Sequence, residues 1–185
     1  MDGASRERAS AERRQRSTGS HEDGIAMDKP YLHLRKDLLA PQQAPRFPAG
    51  IQPVSFSVAE HASAARDLLA LAYRSGGGHV EVFEQWWPTV ASDPEYDPAT
   101  IFTAVDAAGR LAGIALCWSV PFVKDLAVAP TWQGQGLGKA MLRQAFVFFH
   151  QRNAPSIDLK VHVDNPAVRL YHRLGMHAVQ LEERS

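Results

Sequence analysis

A chain of 185 residues is long enough for one domain with a sizeable hydrophobic core. Its 20 Lys and Arg residues balance its 20 Asp and Glu residues, so no net charge attracts nucleic acid or an anionic membrane surface. No apolar stretch reaches the roughly 20 residues that a membrane-spanning helix needs. The single cysteine, Cys117, lies in an apolar run, which predicts a small core residue and fits a cytoplasmic location.

The first 50 residues are predicted to be a disordered extension and linker. Residues 1–24 are charged and contain almost no side chains that a core could bury, and they lack the apolar segment of a secretory signal. Met27 opens a segment that can serve as an alternative start, which would make the first 26 residues dispensable. The Pro- and Gln-rich segment 41–53 predicts an extended linker.

Residues 51–185 predict a single α/β domain, whose elements alternate between strand and helix periodicity. The predicted elements are a strand 54–58, a helix 59–75 ended by three glycines, a helix 80–92 kinked or ended by Pro88, a hairpin of strands 101–106 and 111–120, a strand 122–128, a helix 137–152, a strand 157–163, a short helix 165–175 and a strand 176–183. This order predicts a mixed sheet packed by helices, with strands 122–128 and 157–163 parallel and joined by a right-handed crossover.

Three glycines at alternate positions, Gly134, Gly136 and Gly138, stand between a strand and a helix. Glycine weakens both kinds of element, so this spacing indicates a backbone that needs it. Amides at a helix N-terminus bind phosphate groups, and glycine lets successive amides turn toward one anion. A dinucleotide loop fails because Lys139 occupies the position of its third glycine, and a P-loop fails because its glycines are too close together. A tight turn without a ligand is the alternative.

Two motifs resemble the GCN5-related N-acetyltransferase (GNAT) family. LAVAP at 126–130 followed by QGQGLG at 133–138 is similar to the family's acetyl-CoA signature. NPAVRLYHRLGM at 165–176 is similar to its second motif, with the alanine shifted by one position. The resemblance covers about residues 54–181 and implies a mixed sheet of about six strands, with splayed parallel central strands, flanked by four helices.

The resemblance also implies where acetyl-CoA binds. The cofactor residues that it implies are Leu126, Ala127, Val128, Gln133, Gly134, Gln135, Gly136, Leu137, Gly138, Lys139 and Asn165. Lys139 either reaches a phosphate or is a solvated lysine, and Asn165 binds the cofactor arm, caps the helix behind it, or does both. Tyr171 is the implied general acid that protonates the leaving thiolate, and a packing tyrosine is the alternative.

The implied reaction is direct attack of a primary amine, most simply of a small molecule, on the acetyl thioester. Asp125 is the candidate that binds or deprotonates the amine, although an exposed strand residue or an ion pair with a lysine is equally open. His162 can point into the groove or be structural. The alternatives to a small amine are a protein N-terminus or lysine, or an acyl-CoA sensor without catalysis. No metal is expected, and a homodimer that completes the sheet edge is an expectation.

Overall fold

The structure is a computed structural model, and it describes residues 31–74 and 79–179. In these residues seven strands form one sheet in the order β2-β3-β4-β5-β6-β1-β7, with four α-helices. The strands are β1 Tyr31–Asp37, β2 Ile51–Ser55, β3 Ile101–Asp106, β4 Leu111–Trp118, β5 Phe122–Val128, β6 Ser156–His162 and β7 His177–Ala178. The helices are α1 Val58–Arg74, α2 Phe83–Ala91, α3 Leu137–Gln151 and α4 Val168–Arg173. The predicted α/β class with four flanking helices is confirmed.

Two hydrophobic clusters show how the helices cover the sheet. Leu34, Met141 and Phe149 belong to a cluster that includes the apolar side of α3, and the side chains of α4 pack on it. Leu69 and Trp86 belong to a second cluster that joins α1 and α2 to the other face. Cys117 is 1 % exposed in the first cluster, and burial raises the pKa of its thiol, so the predicted core role is confirmed.

The predicted disordered extension is wrong for residues 31–50. All seven residues of β1 pair antiparallel with β6, and Leu34 at its centre is fully buried. After β1 the backbone N–H of Leu38 donates to the Pro155 carbonyl at 2.9 Å, and Phe47 packs on the core. The alternation of leucine with polar residues in YLHLRKD suits a half-buried strand, and the predicted domain start at residue 51 therefore omits a strand of the sheet.

Asp158 ties β1 to β6 from its side chain. Arg35 donates to both of its carboxylate oxygens, at 2.7 and 2.8 Å, and His33 Nε2 lies 2.8 Å from Oδ2. Burial alone would raise the pKa of Asp158, but the hydrogen bonds from Arg35 and His33 outweigh it and hold that pKa below its usual value. The contact fixes the register of two strands that are distant in sequence.

Other boundaries differ modestly from the predictions. The strand predicted at 54–58 lies at 51–55, and Pro53 fits because β2 is an edge strand. Pro88 lies inside α2, which continues to Ala91. The calls on the first 30 residues, including the Met27 start, on the three glycines after α1 and on the last part of strand 176–183 lie outside the described residues.

The central parallel strands separate soon after they meet. β5 and β6 pair only at Phe122 with Asp158 and at Val123 with Leu159. Beyond Val123, β5 stays paired with β4 on its other side. The splayed arrangement that was predicted is confirmed, and it leaves one side of β5 open where the site residues lie.

Candidate active site

The loop between β5 and α3 depends on left-handed backbone at two glycines. Gly134 and Gly136 have φ of 74° and 87°, a region that residues with a Cβ rarely adopt. Two glutamine side chains hold the loop: Gln133 Nε2 donates to the Val128 carbonyl at 3.0 Å, and Gln135 Nε2 donates to the Thr131 carbonyl at 2.8 Å. The loop shape is therefore set by glycine dihedrals and by glutamine side chains.

Six successive amides in this loop lack a hydrogen-bond acceptor. The Gln133 N–H donates to the Pro130 carbonyl, and the next backbone donor in the chain is Ala140, whose N–H reaches the Gly136 carbonyl at 3.0 Å. Between them, none of the amides of residues 134–139 meets an acceptor among the described residues. Unpaired amides at a helix N-terminus form an anion-binding site.

A cleft of about 550 Å³ opens beside these amides. Gly138 forms part of its wall, and a Cβ there would lie 3.4 Å from the Leu170 side chain and 3.6 Å from Val128. Lys139, Arg143 and Arg173 line the cleft, and none of its lining residues is acidic. The cleft therefore suits a polyanionic ligand.

The open side of β5 presents backbone groups toward the gap. Ala129 donates to the Ala112 carbonyl at 2.8 Å, so in the antiparallel ladder Ala127 also bonds to β4. Alternation then directs the N–H groups of Leu126 and Val128 to the opposite side, toward the gap. The structure does not bring Ala127 to the gap, because its backbone faces β4 and its side chain is 3 % exposed.

A small pocket of about 190 Å³ lies in the gap between β5 and β6, and Asp125, Leu126, Asn165 and Tyr171 line it. Asp125 is 6 % exposed, and Lys124 Nζ donates to its Oδ2 at 2.7 Å. The contact joins a buried carboxylate to a lysine whose side chain is 34 % exposed, and it fixes the position of the carboxylate in the pocket.

The hydroxyl of Tyr73 donates to the other Asp125 oxygen. Burial and the Asp125 charge raise the pKa of Tyr73, so this hydroxyl stays protonated. Sequence reasoning missed Tyr73, since it is one more aromatic residue of an amphipathic helix. Only the crossing of α1 over β5 places it at the carboxylate.

Tyr171 is 7 % exposed, and its hydroxyl donates to no other described residue. Burial, with a smaller contribution from the Asp125 charge, raises its pKa to about 12. A free hydroxyl that holds its proton at neutral pH can act as a hydrogen donor to a ligand in the pocket.

Comparison with known proteins decides the family. A family model described as the acetyltransferase (GNAT) family matches residues 63–176, more than half of the chain. The chain belongs to the GNAT family.

Similar proteins support this membership. The chain is 33 % identical over 157 residues to a mycothiol acetyltransferase of Clavibacter sepedonicus, covering 75 % of this chain and 47 % of the relative. It is 38 % identical over 80 residues to the streptothricin acetyltransferase of Streptomyces lavendulae, covering 40 % of this chain and 42 % of the relative. The chain thus spans less than half the length of these relatives.

A solved structure, a GCN5-related N-acetyltransferase from Sphaerobacter thermophilus, has a TM-score of 0.68 at 25 % identity. The match covers 80 % of this chain and 48 % of that one. The fold of this GNAT chain is therefore one that an experimental structure also has.

Asn165 has a visible structural role in this GNAT fold. Its Oδ1 accepts the Ala167 N–H at 2.9 Å, which closes the turn that leads into α4. Its predicted contact with the cofactor arm stays a prediction, although the side chain also lines the small pocket.

No helix in the described part of the chain has the length and apolar character to cross a membrane. Among residues 31–74 and 79–179, no group of three His, Cys, Asp or Glu side chains is placed to hold a metal ion.

Proposed function

We propose that this GNAT chain transfers an acetyl group from acetyl-CoA to a primary amine of a small molecule. The observation that carries the proposal is the row of six unpaired amides at residues 134–139, in a loop that lines one cleft together with Val128 at the end of β5. Membership of an acetyltransferase family supports the same donor.

The residues present fit acetyl-CoA along the whole gap. The amides of residues 134–139 would bind its diphosphate, with Lys139 beside them. The N–H groups of Leu126 and Val128 would pair with the pantetheine amides as a neighbouring strand does. The thioester would then reach the pocket of Asp125 and Tyr171, and the small volume of that pocket favours a small acceptor.

The chemistry is direct acyl transfer. The lone pair of a neutral amine forms a C–N bond with the thioester carbonyl carbon, and the C–S bond breaks. The departing thiolate takes the hydroxyl proton of Tyr171, and the amine nitrogen loses its proton to Asp125 or to water. An N–H at the Val128 end of β5 stabilises the oxyanion that forms on the carbonyl oxygen.

The test combines binding and turnover. Titration calorimetry should show CoA uptake by the folded protein, and free thiol should appear when acetyl-CoA is mixed with small primary amines. A preference for peptides would favour a protein acceptor, and CoA uptake without turnover on any amine would favour a sensor. Failure to bind CoA at millimolar concentration contradicts the proposal. The cytoplasmic location and the homodimer stay predictions.

A further inference from the structure

The connection between β1 and β2, residues 38–50, runs along α3, and we call it the strap. β2 lies at one edge of the sheet and β1 near the other, so the strap has to cross the strands between them. His150 Nδ1 donates to the Leu38 carbonyl at 2.6 Å, and Phe47 packs on the cluster that includes the apolar side of α3. Three prolines further restrict its backbone. The path of the strap beside α3 is therefore fixed by contacts at both of its ends.

The strap forms one wall of a cavity of about 570 Å³. The other wall is one face of the first two turns of α3, because its residues recur at helical spacing. The lining residues are Gln43, Ala44 and Arg46 from the strap and Gly136, Lys139, Ala140 and Arg143 from the helix. This strap cavity adjoins the phosphate cleft, since Gly136, Lys139 and Arg143 line both.

The charge around the strap cavity has one sign. Arg46, Lys139 and Arg143 are its charged lining residues, and no acidic side chain lines it. None of the three forms an ion pair with a carboxylate among residues 31–74 and 79–179. A second cavity beside Arg143 differs, because Asp37 lies in its lining. Like charges around one space repel each other, so the strap cavity is where an added anion is stabilised most.

The two arginines keep donors for such an anion. Arg143 Nη2 donates to the Gln43 side-chain oxygen, which holds the guanidinium beside the strap. A guanidinium has five N–H donors, so most of those of Arg143 remain available. Arg46 donates to no side chain or carbonyl in the described part of the chain. Planar guanidinium groups match the oxygen geometry of a phosphate, which makes phosphate the anion that suits this cavity.

We infer that Arg46 and Arg143 bind the 3′-phosphate of CoA, so that the strap makes the protein selective for CoA over dephospho-CoA. CoA carries this phosphate on the same ribose that its diphosphate joins, a few bonds away. A diphosphate on the amides of residues 134–139 therefore leaves the 3′-phosphate in a space next to the cleft, and the strap cavity is the cationic space there. The family match covers residues 63–176, so it does not include Arg46. The inference rests on the proposed function.

The test compares CoA with dephospho-CoA, which lacks only the 3′-phosphate. Titration calorimetry on the full chain gives both dissociation constants for the wild type, Arg46→Gln and Arg110→Gln. Arg110 is the matched control, because it pairs with Asp106 at the β3–β4 turn and its loss removes the same charge outside the strap cavity. The ratio of the two constants cancels any effect that a variant has on the diphosphate contacts or on folding.

We expect the wild type to bind CoA at least about tenfold more tightly than dephospho-CoA, the factor that one charge-assisted hydrogen bond supplies. Arg46→Gln should lower this preference about fivefold or more and keep the dissociation constant of dephospho-CoA within about twofold, because its guanidinium meets only the absent phosphate. Arg110→Gln should keep the wild-type ratio.

Phosphorus NMR provides a readout that needs no variant. The second pKa of a phosphate monoester is about 6 when the group is free. In the complex of CoA with the wild type, the pKa of the 3′-phosphate should be lower, because two guanidinium groups favour the dianion. Arg46→Gln should return this pKa toward its value in free CoA.

Equal affinities of the wild type for the two nucleotides would overturn the inference, and so would an unchanged ratio in Arg46→Gln. An equal loss of affinity for both nucleotides in Arg46→Gln would also overturn it, because Arg46 would then act on the diphosphate or on the fold. CoA binding without any preference leaves the proposed function standing. A wild type that binds neither nucleotide contradicts the proposed function together with this inference.

Discussion

At the scale of single residues, the pocket separates two tyrosines with different tasks. The Tyr73 hydroxyl donates a hydrogen bond to Asp125, whereas the Tyr171 hydroxyl has no hydrogen-bond partner among the described residues. Because both hydroxyls keep their protons, only the unengaged one is available to a leaving thiolate.

Replacing Tyr171 by Phe should lower kcat about 100-fold or more, since general acids contribute roughly 10²–10⁴-fold. The dissociation constant of CoA should stay within about twofold, because the ring still packs. With a pKa of about 12, Tyr171 in the wild type remains protonated below that pH and loses its proton only as pH rises toward 12. Steady-state kinetics from pH 7 to 10 measure kcat and its dependence on the Tyr171 proton. Calorimetry measures the dissociation constant of CoA.

Tyr96→Phe is the matched control, because Tyr96 packs edge-on against Trp87 away from the pocket. The Tyr96→Phe enzyme loses a tyrosine hydroxyl and should keep the wild-type kcat. A Tyr171→Phe enzyme with wild-type kcat on its best acceptor would show that water, not this hydroxyl, protonates the thiolate.

Single residues also show where sequence reasoning stops. Asp125, Asn165 and Tyr171 were predicted, and the structure brings them to one pocket. Tyr73 was not, because its meeting with Asp125 spans 52 residues and depends on where a helix crosses a strand. A short motif identifies residues that lie close together in the sequence. A contact between residues far apart in the sequence has no characteristic spacing from which it could be predicted.

At the scale of elements, the turn between β5 and α3 uses its glycines for two different reasons. Gly134 and Gly136 supply positive φ with open space around the missing Cβ, while Gly138 has no such φ and keeps a side chain out of the cleft. The first two glycines of the motif are therefore required by the backbone conformation, and the third is required by the space in the cleft.

This division predicts different outcomes for two substitutions. Gly136→Ala should cost about 1–2 kcal/mol in the free energy of unfolding, because an L-residue is strained at φ 87°. Gly138→Ala should leave unfolding unchanged or slightly improved, since alanine favours helix, yet weaken CoA binding about tenfold by narrowing the cleft. Urea denaturation and calorimetry measure the two effects.

Gly109 offers the matched control for strain alone, because it has φ 75° in the β3–β4 turn with nothing near a Cβ. Gly109→Ala should lower the free energy of unfolding by about as much as Gly136→Ala does. Its dissociation constant for CoA should equal that of the wild type. Full CoA affinity in Gly138→Ala would mean that the ligand does not approach this wall.

The elements themselves were largely predictable from periodicity. The helix predicted at 137–152 is α3 at 137–151, and the hairpin strands were found within a few residues. β1 was not predicted, because the segments on both sides of it are polar or Pro-rich. Their composition indicated disorder and outweighed the strand signal of its alternating leucines. Its partner strand, β6, lies more than 100 residues away and gives no local signal.

At the scale of the whole molecule, β1 is the strand on which the rest of the sheet edge depends. It lies between β6 and β7 in the sheet. Its removal would expose the edge of β6 and separate β7 from the rest of the sheet. Leu34, with no exposed surface, would leave a gap in the main core.

Truncation tests this dependence. A chain that starts at Met27 keeps β1 and should unfold at the same temperature as the full chain. A chain that lacks residues 1–37 should lose at least about 10 °C or fail to unfold cooperatively, because burial of one leucine alone contributes about 1.5–3 kcal/mol. Thermal denaturation followed by circular dichroism distinguishes the two, and equal midpoints would contradict the role given to β1.

The place of β1 also has a consequence for biosynthesis. His33 meets Asp158 across 125 residues, so β1 leaves the ribosome long before its partner strand β6. At about 5–20 residues per second, translation leaves its apolar side uncovered for roughly 6–25 s. The nascent chain therefore exposes the leucines of β1 to chaperones until β6 has been synthesised.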